Sequence, residues 1–340
     1  MMNTQSTPNS LVRPLLYMAL FVFLGAILSY NILVTDRALD TILNIFTTRF
    51  LGIFIEAVPF LLLGTLTSGL IEAFIRPQDV VRYLPKNRLL SVVGGAFMGI
   101  VFPVCECGVV PVVRRLFRKG LPMSVGVTFL LAAPFMNPIV FASTYIAFGF
   151  GTVFIARFLI TAIVAISVGL IFAVNSKPGD VLLPISLLDG SEVDSITPSR
   201  PTMKQGLSQA MSIATNEFFE MGRFLVMGCI LAAAMQTLVN QSDLAIIGQG
   251  PVISVIVMQI FAFVLSVCST IDSFLALAFV NTFSIGSIIA FLSFGPMVDI
   301  KSTMMFMGVF KKRAVLYLII LPFLMNLLAG VLINLQGGFF

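Results

Sequence analysis

Three residues with chemistry to offer stand side by side in the stretch FPVCECGVVPVVRRLFRKGLPMSVGVTFLLAAPFMNP, residues 102–138: Cys105, Glu106 and Cys107. Thiolates are soft ligands that suit soft metals and metalloids, and the carboxylate between them adds a charged acceptor. A cysteine alone on an apolar helix usually packs as a small hydrophobe, which is how Cys229 reads. The pair reads differently, because three polar groups followed by Gly108 and Pro111 do not make a packing surface. Further on, Pro134, Asn137 and Pro138 interrupt an apolar run. Proline removes backbone hydrogen bonds and disfavours helix at the residue before it, so a discontinuous helix is expected there, with Asn137 capping its second half and free amides and carbonyls able to meet a ligand. A similar set recurs later, as Cys268 with Asp272 and Pro296 with Asp299. Two further acids, Glu56 and Glu220, sit inside apolar helices. Such carboxylates are costly to bury and are functional candidates by default, here as proton carriers.

The elements that hold these groups must be membrane helices. Of the 340 residues, 58% are hydrophobic and only 10% charged, with a mean hydropathy of +1.06, against about 25% charged residues in soluble domains. The net charge of +5 fits Lys and Arg collecting in cytoplasmic loops and does not point to nucleic acid. The chain has no histidine, so the commonest proton shuttle and metal ligand is missing. Carboxylates and thiols must carry any ionic chemistry. The cysteines lie in apolar stretches, unlike an extracellular disulfide framework. No P-loop motif is present, so ATP hydrolysis by that fold is excluded.

In chain order, residues 1–13 read as a disordered tail and 14–174 as a first membrane half, with helix one at about 14–34 and helix two at about 50–75. A basic connector, 76–88, is expected in the cytoplasm. The segment 89–113 is flanked by basic residues at both ends. A re-entrant hairpin with its tip near Cys105–Gly108 keeps both flanks on the cytoplasmic side; two ordinary crossings would put one flank outside. The basic residues 114–119 are read as topology signals. A broken span over 121–150 and a helix over 151–174 follow, with Arg157 either pairing with a carboxylate or lying at the interface. Residues 175–211 read as a polar cytoplasmic linker. The second half, 212–340, holds a span at 212–238, an external loop at 239–251, a hairpin at 252–282, a broken span near 284–310 and a last helix at 314–335.

The two halves share landmarks at nearly constant offset. EAVPFLLLG (Glu56 to Gly64) matches EMGRFLVMG (Glu220 to Gly228), Cys105 matches Cys268, and Pro134 and Asn137 match Pro296 and Asp299. Helix 50–75 ends at the basic connector, whereas helix 212–238 ends at a loop without Lys or Arg, so the repeats are read as inverted. Inverted repeats with broken helices meeting near the membrane midplane are a secondary-transporter architecture.

CECGVVPVVRRL followed by AAPFMNPIV resembles the predicted permease family that includes ArsP-type organoarsenical exporters. VCSTIDSFLA and FGPMVDIKS extend the resemblance over most of the chain from about helix two onward. It implies a multi-spanning inner-membrane permease. Some relatives are linked to export of trivalent methylated or aromatic arsenicals, and carried over to this chain the motif cysteines are Cys105 and Cys107.

The expectation is an all-α polytopic membrane protein, not an enzyme, without cofactor or resident metal, its N-terminus cytoplasmic and its partners the lipid bilayer and a small-molecule or metalloid substrate. Cys105, Glu106, Cys107, Pro134, Asn137, Cys268, Asp272, Pro296 and Asp299 would line the substrate site. Glu56 and Glu220 would carry protons; Glu220 has Arg223 at i+3 as a local partner, and Glu56 has none. Rival readings are a permease for another solute or metal, a thiol–disulfide electron carrier using Cys105 and Cys268, and an accessory subunit. The oligomeric state is open.

Overall fold

Residues 36–75, 85, 87–101, 105–175, 181–183, 203–238 and 250–336 are described in the computed structural model of the chain. Helix one at 14–34, most of the connector 76–88, most of the linker and most of the loop 239–251 lie outside the described residues. Among the described residues the fold is helical throughout. The helices are α1 Asp36–Phe74, α2 Arg88–Val101, α3 Glu106–Arg118, α4 Met123–Ala132, α5 Pro138–Phe148 and α6 Thr152–Asn175. They are followed by α7 Met203–Leu238, α8 Ile253–Leu265, α9 Asp272–Leu277, α10 Ile285–Phe294, α11 Ile300–Val309 and α12 Lys312–Leu335. The chain divides between Arg49 and Phe50, and every site discussed below lies in Phe50–Phe340.

Among the described residues the second six helices repeat the first six in order and, except that α9 has six residues where α3 has 13, in length class. α4 and α10 have ten residues each and start at 123 and 285; α6 and α12 have 24 each and start at 152 and 312. Packing repeats too. α4 lies against α2 and α6 as α10 lies against α8 and α12. Between the repeats the packing is exchanged: α3 lies against α11 of the other repeat, and α9 against α5.

Among the described residues, four helices are long and apolar enough to cross a membrane: Asp40–Phe74, Thr152–Val174, Lys204–Leu238 and Lys312–Leu335. The rest are half-length. A ten-residue helix reaches about 15 Å, half of the hydrocarbon thickness. The breaks fall at Pro134 and Pro296, whereas Pro59, Pro111 and Pro322 lie inside α1, α3 and α12 without ending them. α4 stops at Ala132 and α5 restarts at Pro138, and α10 stops at Phe294 before α11 restarts at Ile300. Each restart is capped: Asn137 accepts a hydrogen bond from Ile139 N at 3.0 Å, and Asp299 accepts from Ser302 N at 2.6 Å.

Two helices start earlier than the sequence suggested. Nothing between Asp36 and Leu51 breaks a helix, since that segment has no Gly or Pro, and α1 propagates through it. α7 begins at Met203, inside the stretch assigned to the linker, just after Pro201. Of the linker itself, Val181–Leu183 is pinned to the end of α11, with Lys311 N donating to Val181 O at 2.8 Å and Leu183 N to Val309 O at 3.0 Å. The arms expected to form hairpins, α2 with α3 and α8 with α9, are short as a hairpin requires, but they pack on other helices rather than along each other.

In lipid, burial of apolar surface does not drive helices together, so close backbone approach and polar contacts must. The repeat-equivalent glycines serve this. A Cβ at Gly64 would overlap the Gly108 backbone, and one at Gly228 would come within 2.9 Å of Lys301 Cα. The two long helices α1 and α7 are thereby brought against α3 and α11 at their first turns.

Candidate functional site

The first turns of α3 and α11 and the tip before α9 meet in one buried centre. Cys105 is the N-cap of α3, its carbonyl accepting from Gly108 N and Val109 N, both at 3.0 Å. Glu106 is the first helical residue, where the positive end of the helix dipole favours an acid. Cys268 lies in the turn just before α9, whose N-cap is Ile271, and its carbonyl accepts from Ile271 N at 3.0 Å and Asp272 N at 3.1 Å. Ser266, the one non-glycine residue with positive φ (48°) among the described residues, ends α8 and turns the chain toward this tip. Its hydroxyl accepts from Ile300 N at 3.1 Å, tying the tip to the start of α11.

The thiols of Cys105 and Cys268 and a carboxylate oxygen of Glu106 all lie within 4.8 Å of one another, and all three residues are buried. Cys107 follows in the first turn of α3 and is buried as well. All of the cysteines are free thiols. Lys301, in the first turn of α11, reaches the centre: its Nζ lies 3.4 Å from Glu106 Oε1 and 3.6 Å from Asp299 Oδ2. Glu106 Oε2 and Asp299 Oδ2 are buried without a hydrogen-bond donor, as is Glu56 Oε1. The centre thus joins soft sulfur ligands to carboxylate oxygens with acceptor capacity to spare, and both repeats contribute.

Two further polar clusters flank it. Arg157, completely buried, donates to Asp272 Oδ2 at 2.7 Å, Ser273 Oγ at 2.6 Å, Thr144 Oγ1 at 2.9 Å and Ser269 O at 3.4 Å. Its guanidinium also lies over the Phe135 ring at 5.5 Å. At the other end of α3, Arg114 pairs with Glu220 at 2.8 Å and Glu217 at 3.9 Å, Arg115 with Glu217 at 3.6 Å and Glu72 at 3.7 Å, and Lys119 with Glu72 at 3.4 Å. Ser68 donates to Glu217 at 2.5 Å. This network clasps α1 and α7 onto α3.

The ArsP_1 family model, described as a predicted permease, matches residues 42–335, which include every one of these groups. The chain belongs to this permease family. It is 45% identical over 286 residues to the UPF0718 protein YcgR of Bacillus subtilis, covering 84% of this chain and 95% of that protein. It is also 39% identical over 274 residues to a Streptococcus mutans protein whose name makes it a subunit of a two-component membrane permease complex, covering 78% of this chain and 87% of that protein. No solved structure is significantly similar to the chain.

In this permease the expected site residues fall into three groups. Cys105, Glu106, Cys107, Cys268 and Asp299 meet at the centre. Asn137 is an N-cap, and Pro134 and Pro296 lie in the turns that break the two spans. Asp272 is committed to Arg157, which resolves the open choice for that arginine in favour of a carboxylate partner. Glu220 pairs with Arg114 across helices rather than with Arg223, whose guanidinium lies over the Phe224 ring at 5.0 Å. The basic cluster read as a topology signal is a correction of substance. Arg114 and Lys119 are buried, and with Arg115 they face carboxylates of α1 and α7, because an amphipathic α3 turns its charged face inward. Cys229, read as packing, is fully buried on α7. Lys301 was missed. Its signal was a lone lysine amid apolar sequence two residues after a capping Asp, in FGPMVDIKS.

Proposed function

We propose that this membrane permease carries a soft, thiol-seeking small solute, with a trivalent organoarsenical as the leading candidate, outward across a bacterial inner membrane. The observation that carries the reading is the meeting of Cys105, Cys268 and Glu106 from opposite repeats within 4.8 Å. A trivalent arsenical bearing one organic group has exchangeable hydroxyls. Each can leave as water, taking the proton of an attacking thiol as an As–S bond forms. Neighbouring thiols from two repeats suit that exchange, and a site assembled from both halves can be opened by moving one half against the other. The repeats are read as inverted, and the N-terminus as cytoplasmic. Glu56 is the favoured proton carrier, because Glu220 is held by Arg114 whereas Glu56 Oε1 is buried without a donor.

The test is cellular. Expression should lower accumulation of a trivalent phenylarsenical, and Cys105→Ser with Cys107→Ser should abolish that effect at unchanged membrane abundance. Full protection by a well-inserted double variant would sink soft-ligand coordination, leaving selection by shape and hydrogen bonding.

A second reading is favoured by the same geometry: Cys105 and Cys268 are near enough to become a disulfide with modest movement. An electron carrier would form that bond reversibly during turnover, whereas a permease needs both thiols reduced. A relative named for a two-component complex also supports a second membrane protein as partner.

A further inference from the structure

Lys301 is hard to explain as a structural residue. A cation in the first turn of a helix works against the helix dipole, so α11 gains nothing locally from it. It is buried to 1% exposure between Glu106 and Asp299. Its contacts are loose: 3.4 Å and 3.6 Å, compared with 2.7 Å for Arg157–Asp272 and 2.8 Å for Arg114–Glu220. Charge-assisted hydrogen bonds close to about 2.7–2.9 Å when geometry allows. The tightest pairs in this protein have closed and those of Lys301 have not, a looseness that Lys301 shares with the pairs of Glu72 and with Arg115–Glu217. On both carboxylates an oxygen is left without a donor, Glu106 Oε2 and Asp299 Oδ2.

We infer that Lys301 is a tethered counter-cation that sets the charge class of the substrate, turning the thiol centre toward neutral thiophiles and away from thiophilic metal cations. This rests on the reading of Cys105, Cys107 and Cys268 as the substrate site. Thiols alone do not distinguish an organoarsenical from cadmium or another soft divalent ion, since all prefer sulfur. The carboxylates would break that tie. Without a lysine, Glu106 and Asp299 present two carboxylates beside the sulfurs, a donor set that resembles a soft-metal site. With the ammonium between them, an incoming divalent cation must push a positive charge aside within a buried centre, where charge–charge interactions are only weakly screened. A neutral trivalent arsenical meets no such opposition. It binds by covalent exchange at sulfur, each As–S bond releasing one hydroxyl as water, and it brings no charge into the centre.

The experiment titrates purified protein with cadmium chloride and, separately, with a trivalent phenylarsenical. Lys301→Met should bind cadmium at least tenfold more tightly than wild type, while arsenical affinity stays within about threefold, because only one ligand carries charge. Lys301→Arg keeps the charge and can fork across both carboxylates, so its cadmium affinity should not rise. If Lys301→Met does not insert, Lys301→Gln replaces it, retaining a donor for both carboxylates, with the same expected gain. Cadmium affinity that stays flat or falls in the neutral variant overturns the inference, as does an equal rise in Lys301→Arg. The Cys105→Ser, Cys107→Ser protein separates this failure from that of the substrate reading. If arsenical binding still depends on the cysteines while cadmium affinity ignores Lys301, only the role of Lys301 falls. If arsenical binding survives loss of both cysteines, the thiol site falls and this inference with it.

Discussion

Replacing either partner of the Arg157–Asp272 pair should be far more damaging than replacing both. The guanidinium is fully buried and donates four hydrogen bonds, to Asp272, Ser273, Thr144 and the Ser269 carbonyl. Interhelical hydrogen bonds in a membrane bundle contribute about 0.6 kcal/mol each on average, so four together account for roughly 2 kcal/mol. Breaking a buried ion pair from one side costs about 3–5 kcal/mol, because the remaining charge is left uncompensated. The charge therefore decides. Arg157→Met and Asp272→Leu should each destabilise by about 3–5 kcal/mol, lowering the folded-to-unfolded ratio by roughly two to four powers of ten. The double variant removes both charges, and Thr144 keeps its bond to the Val140 carbonyl at 2.7 Å, so it should return to within about 2 kcal/mol of wild type. Unfolding of purified protein by SDS in mixed micelles, analysed as a double-mutant cycle, gives the coupling energy directly. Single-variant losses below about 1 kcal/mol, or losses that simply add in the double variant, would refute the reasoning.

Glu56→Gln keeps shape and removes titration. It should abolish proton-driven flux in vesicles while leaving the protein inserted and folded, and unchanged flux with unchanged pH dependence would remove Glu56 from the mechanism. Gly64→Val should cost about 1–3 kcal/mol or more in the SDS assay, since its Cβ would overlap the Gly108 backbone, which cannot rotate aside as a side chain could. Gly52→Ala is the control: nothing lies within 4 Å of that Cβ, and the better helix former should add up to about 1 kcal/mol.

Much of this architecture was legible in the chain because its signals are local. Pro59, Pro111 and Pro322 lie inside continuous helices, so it was proline followed three residues later by a capping side chain, Pro134 with Asn137 and Pro296 with Asp299, that let the discontinuous spans be read in place. Glycines 64 and 228 matched in register because each repeat needs a close approach at the same height of a long helix. Pairing across helices was not legible. Glu220 had a suitable local cation in Arg223, and only the fold shows that Arg114, 106 residues away, is nearer. The same holds for Lys301 and Glu106, separated by 195 residues. Reading 114–119 as a loop charge followed from counting positives without their periodicity. On a helix, Arg114, Arg115 and Lys119 can turn to one side, and that side faces the acids of α1 and α7.

The inward-facing clasp on α3 also constrains the order in which the protein can be made. Glu72 precedes α3 in the chain, so Arg115 and Lys119 find a carboxylate as soon as they leave the ribosome. Arg114 does not, because both acids that pair with it, Glu217 and Glu220, belong to α7. At about 5–20 residues per second, the 106 residues to Glu220 take roughly 5–20 s to synthesise. During that interval a guanidinium that ends up buried has no counter-charge from α7, so α3 cannot take up its final packing. The second half of the nascent chain thus acts as the release signal for a helix of the first, and the thiol centre at the other end of α3 is completed only after translation has passed both.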